Sequence, residues 1–90
     1  MKIHSVDGVD LTGKYALIKK DGIKKEFHGL AHRIVKVTGG FGCKPNALGR
    51  AIFTTDLNGV SERWDRSAFE GWVEESEVKF LQFAMNKEPV

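Results

Sequence analysis

The chain of 90 residues has one cysteine, Cys43. No disulfide can form within it, and nothing points to an oxidising compartment. No stretch approaches the roughly 20 apolar residues of a membrane span, and residues 1–8 hold no apolar run of signal-peptide length. A soluble, cytoplasmic protein with no membrane partner is therefore expected. Sequence repeats, low-complexity segments and linkers are absent, so residues 1–90 are read as one small domain. Before residue 67 no amphipathic helical period appears. No Cys-x-x-Cys or His-x-x-His clamp exists to gather His4, His28, His32 and Cys43 around a metal. Neither Gly-x-x-x-x-Gly-Lys-Ser/Thr nor Gly-x-Gly-x-x-Gly occurs. Cys43 has no identifiable base or orienting group, so no nucleophile–base pair can be named. The expectation is a protein that is not an enzyme and needs no metal or cofactor.

Turns are the clearest positive signal. Asp7-Gly8, Asp21-Gly22 and Asn58-Gly59 accept positive φ, as tight hairpins require. Around them lie runs with strand character. Tyr15–Lys20 and Ile23–Phe27 flank Asp21-Gly22 and predict a first hairpin with a polar, lysine-rich tip. Leu30–Thr38 reads as a strand, β-branched toward its end, with Val35 and Val37 on one face. Ala51–Thr55 and Val60–Arg66 flank Asn58-Gly59 and predict a second hairpin. In it Ala51, Phe53 and Thr55 share one side, and Val60, Glu62 and Trp64 alternate on the other strand. Ser67-Ala68-Phe69-Glu70 has capping-box spacing, but Gly71 follows at once, which favours a single 3₁₀ turn. The segment 77–83 reads as a last strand. Val78, Leu81 and Met85 also fit a helical stripe, so a short C-terminal helix is the competing assignment.

Five or six short strands with tight turns in 90 residues predict an all-β fold, a small barrel or two packed sheets. In outline the chain resembles the SH3-like barrels. The residues that carry the likeness are Gly13, Tyr15, Ala16 and Leu17 as an opening strand, a long glycine-containing loop, then Arg63-Trp64-Asp65-Arg66. A turn around Phe69-Glu70-Gly71 and a closing segment from Trp72-Val73 complete it. The likeness spans residues 10–83 at the level of strand order and implies a five- to six-stranded barrel. The Ala-Leu-Tyr-Asp-Tyr stretch of peptide-binding SH3 domains is absent, because Ala16-Leu17 runs on to Ile18-Lys19-Lys20. The proline-peptide site of that family is therefore assigned to no residue here.

Net charge is only +2, but it is unevenly placed. Residues 1–50 carry ten Lys/Arg against four Asp/Glu, and residues 51–90 carry four against eight. Such asymmetry suits an acidic partner or contacts between copies, or simply two halves that pack together. The candidate binding surface is Lys19, Lys20, Lys24 and Lys25 at the first hairpin, Arg33 and Lys36 on the next strand, and Phe41, Lys44 and Arg50 in the loop 39–50. Trp64 joins Phe41 as an aromatic able to stack. Glycines bring backbone N–H groups close to a ligand, and long loops in small domains often carry function. A purely structural loop would instead plug the barrel end with Phe41 and Leu48. The glutamates at 70, 74, 75 and 77, with Asp65, read as a solvated face or as the complement of the basic hairpin in another copy. The leading expectation is an interaction module that docks an acidic protein or assembles with itself. Nucleic-acid backbone binding is the alternative, and an accessory subunit of an enzyme is a third reading.

Overall fold

The computed structural model describes residues 2–79. Five antiparallel strands, β1 (Tyr15–Ile18), β2 (Ile34–Gly39), β3 (Ala51–Asp56), β4 (Ser61–Asp65) and β5 (Phe69–Val73), form one sheet in the order β4-β3-β2-β1-β5. The all-β expectation holds. A closed barrel is not seen: among the described residues β4 pairs only with β3, and the outer side of β5 carries a single bridge, from His4 to Trp72. One 3₁₀ turn, Arg66–Ala68, carries the chain directly from one edge to the other and leaves no length for a β4–β5 ladder. The turn is capped two residues before the capping-box position Ser67. Its cap is Asp65, whose carboxylate accepts the Ser67 N–H at 2.8 Å and the Ser67 hydroxyl at 2.6 Å.

The hairpin at Asn58-Gly59 is as expected. Its register runs from Ala51 opposite Asp65 to Thr55 opposite Ser61. Gly59 sits at φ +84°, and Asp56 Oδ1 accepts the Asn58 and Val60 N–H groups, each at 2.9 Å. Ala51, Phe53 and Thr55 do share a face, and it is the outer one. Ile52 and Thr54 point into the core, where Ile52 is paired with Trp64.

The first hairpin does not form. Gly22 makes the expected turn at φ +82°, yet Ile23–Phe27 joins no ladder, and Lys25–Phe27 is a 3₁₀ turn. Both edges of β1 are already occupied, by β2 and by β5, so no edge remains for a returning strand. Lys24-Lys25-Glu26 also breaks the alternation that a half-buried strand needs. The next strand starts late: Leu30–Arg33 is a single helical turn, α1, and β2 begins only at Ile34. Leu-Ala-His-Arg contains no β-branched residue, whereas Ile34-Val35 and Val37-Thr38 do.

The sheet is buried on both faces at β1, where all four residues are inaccessible. Ala16 and Ile18 pack with Leu11, Val35, Val37, Cys43, Ile52 and Phe69 on one side. Tyr15 and Leu17 pack with Ile34, Val73 and Val78 on the other. Val78 comes from residues 75–79, which are helical rather than the start of a last strand. The remainder of the expected strand, 80–83, lies outside the described residues. No helix among the described residues is long and apolar enough to cross a membrane.

Candidate binding face

The eight basic residues of the expected surface do not converge. Arg33 is buried: its Nε donates to Ile18 O at 2.8 Å, and its Nη2 lies 2.9 Å from Glu70 Oε1. It is a strut of the fold, and the expectation that it lines a ligand surface is overturned. The guanidinium is the one side chain of α1 long enough to satisfy the carbonyl at the end of β1. Lys36 stands on the outer face of β2 with its ammonium 5.8 Å from the Tyr15 ring centre. Lys44 Nζ is 2.6 Å from Asp10 Oδ2, and Arg50 Nε is 3.2 Å from Asp65 Oδ1. Lys19, Lys20, Lys24 and Lys25 are exposed but spread along a loop. Lys19 lines a polar hollow with Arg50 and Arg66, while Lys24 lines a different groove beside Phe27, His32 and Trp64.

The acidic second half meets the basic first half within the same chain. Arg33–Glu70, Arg50–Asp65 and His4–Glu74 each join the two, the last at 3.6 Å. Two carboxyls are held well below the ordinary value. For Asp10 the causes are the hydrogen bond from Lys44 and then those from Thr12; for Asp65 they are the hydrogen bonds from Ser67 and then that from Arg50. The same contact with Asp10 raises the pKa of Lys44.

The glycine loop is packed rather than open. A Cβ on Gly42 would lie 2.3 Å from the carbonyl oxygen of Arg50, so this glycine lets the loop press onto the start of β3. Cys43 beside it is only 1 % exposed, which leaves its thiol out of reach of solution partners. Phe41 and Leu48 do not plug the core. Phe41 is 78 % exposed and Leu48 fully so. The neighbouring core space is already filled by Ile52, Cys43 and Leu11.

What the fold does bring together is Phe41, Arg50 and Trp64, three of the ten expected residues. With Gly49, Ala51, Arg63 and Asp65 they line a shallow cleft at the β4 edge of the sheet. Trp64 is half-buried, and its Nε1 donates to Thr54 Oγ1 at 3.1 Å, which fixes the indole plane. Arg63 is exposed and has no ion-pair partner among the described residues. Phe53, 47 % exposed, lies opposite Arg63 on the outer face. Arg63 was not anticipated, because its position on an edge strand depends on strand order.

Arg66 was also missed. Its guanidinium donates to the carbonyls of Gly42, Cys43, Val6 and Val9 and so ties the N-terminal segment to the glycine loop. Nothing in Arg-Trp-Asp-Arg distinguishes this arginine from the exposed one three residues earlier. The three histidines do not gather: His4 stacks on Trp72 at 4.4 Å, His28 Nε2 is 3.1 Å from Ile23 O, and His32 meets Phe27 edge-on. No group of three metal-ligating side chains occurs among the described residues. Comparison with known proteins finds no matching family model, no matching curated protein and no matching solved structure.

Proposed function

We propose that this domain is a non-enzymatic interaction module whose binding face is the cleft of Phe41, Arg50, Arg63 and Trp64 together with the free edge of β4. The occupant is an extended protein segment carrying carboxylates. A segment lying along β4 would continue the sheet through its backbone and place alternate side chains against Phe41 and the arginines, the usual economy of strand addition. The observation that carries this reading is the exposed Phe41 standing beside an edge that is unpaired among the described residues and also bears Arg63. Exposed aromatic and arginine side chains are the residues most often responsible for affinity at protein interfaces. The glycine loop keeps its expected role in this reading, and the basic hairpin is replaced by the β3–β4 hairpin. Kinship with SH3-like domains is part of the same proposal, supported by five short antiparallel strands and the 3₁₀ turn before β5.

The test is a chemical-shift titration with a synthetic decapeptide of alternating glutamate and valine at low salt. Amides of Ser61, Arg63 and Asp65 are expected to move, and Phe41→Ala or Arg63→Glu to weaken binding about tenfold. Unmoved β4 amides at about millimolar peptide, a concentration that registers even weak association, would overturn the reading.

A second reading rests on a separate observation: Lys19, Lys20, Lys24 and Lys25 are exposed and make no ion pair among the described residues. Such lysines suit the phosphates of a nucleic acid. In that case an oligonucleotide, not the acidic peptide, binds, with log affinity falling linearly in log salt.

A further inference from the structure

The β4 edge has a definite pattern of free hydrogen-bonding groups. Asp56 N–H donates to Val60 O and Arg66 N–H to Arg50 O, each at 2.9 Å. Hydrogen-bonded pairs therefore alternate along the hairpin as 50/66, 52/64, 54/62 and 56/60. Ser61, Arg63 and Asp65 fall between them and turn their N–H and C=O groups away from β3. Among the described residues no backbone partner is found for the Ser61 and Arg63 groups or the Asp65 N–H, while the Asp65 carbonyl opens the 3₁₀ turn Arg66–Ala68. The opposite edge differs, because His4 bridges β5 at Trp72, with N–H···O distances of 2.8 and 2.9 Å.

We propose that the occupant of this edge is a second copy of the chain, its β4 antiparallel to the first in a register centred on Trp64. This rests on the docking face argued above and names its partner. Two copies related by a two-fold axis normal to the sheet must place residues of like facing opposite each other, so few registers are open. Centred on Arg63, the pairing sets arginine against arginine. Centred on Glu62, it sets glutamate against glutamate. Like charges directly opposite are destabilising in a sheet. Centred on Trp64, it sets Arg63 against Asp65 on both sides of the axis; in each pair the Asp65 N–H donates to the Arg63 carbonyl, and the Arg63 N–H takes the second lone pair of the Asp65 carbonyl, which also opens the 3₁₀ turn. The two Trp64 side chains then meet at a non-hydrogen-bonded position, where side chains approach most closely. Arg63, unpaired among the described residues, gains a carboxylate, and Asp65 keeps Arg50 on its other side.

Sedimentation equilibrium of the full chain, with hydrogen exchange at low and high concentration, tests this. Reversible dimers are expected, with the Arg63 and Asp65 amides slowing as concentration rises. Arg63→Ala removes an exposed side chain and leaves the core untouched, so circular dichroism should be unchanged. Loss of both cross-strand pairs should weaken the dimer about fivefold, and Arg63→Glu should weaken it further. An Arg63→Ala dimer as tight as the parent, or tighter, overturns the Trp64-centred register, since relief of arginine–arginine repulsion would produce that. A chain that stays monomeric to about 1 mM while the acidic peptide still shifts the β4 amides overturns the second copy and leaves the docking face standing. Failure of both overturns both.

Discussion

At the scale of single residues, three arginines carry three different roles. Arg33 is buried with its guanidinium divided between a backbone carbonyl and Glu70. Arg66 collects four carbonyls from two segments far apart in sequence. Arg63 is exposed on an edge strand. A planar fork of five donors makes the Arg66 arrangement possible, and a lysine ammonium cannot span it. Arg66→Ala would leave carbonyls of the N-terminal segment and the glycine loop without a donor. It should cost about 3 kcal/mol, read as a lower urea midpoint at constant slope, with Arg66→Lys recovering less than half. A shift within about 0.5 kcal/mol, the range of ordinary surface changes, would show that water replaces the guanidinium freely. None of the three roles is legible from the sequence, because each depends on which carbonyls or edges the fold brings near.

At the scale of elements, local chemistry was a good guide wherever the partner was also local. The Asn58-Gly59 hairpin needs only its own residues and the Asp56 carboxylate, and it formed as read. The segment at Asp21-Gly22 has an equally good turn but no edge to pair with, since β1 is already flanked on both sides. In the glycine loop, the glycines suggested a cradle for a ligand. The close approach at Gly42 shows instead a loop pressed against a strand. Gly42→Ala should therefore destabilise by about 2 kcal/mol in chemical unfolding, the usual cost of overpacking. Gly39→Ala, with nothing within 4 Å of its added Cβ and no positive φ, is the control and should stay near the parent value. Because the loop presents Phe41, Gly42→Ala should also weaken whatever binds the cleft.

At the scale of the molecule, the lopsided charge is partly consumed inside the chain, where Arg33 and Arg50 of the first half meet Glu70 and Asp65 of the second. Acid should expose this. Asp10 and Asp65 have folded pKa values below the ordinary carboxyl value of 3.8. Their contribution to stability is complete above that value and disappears as pH falls through the folded values. Thermal midpoints should thus decline below about pH 4. Asp10→Asn and Asp65→Asn should lower the midpoint at pH 7 and converge on the parent in acid; a constant gap across the titration would rule these carboxylates out. By itself the sequence determined the β class, the turns with positive φ, the 3₁₀ stop before β5 and the hairpin around Gly59, because each rests on contacts a few residues apart. The tertiary structure alone decided that the sheet of the described residues is open, that Arg33 and Cys43 are interior and that residues 75–79 are helical over Tyr15, Leu17 and Val73. It also decided that Phe41, Arg50, Arg63 and Trp64 meet at the β4 edge. Edge and centre are properties of strand order, and strand order is set by packing between segments tens of residues apart, which no local pattern encodes.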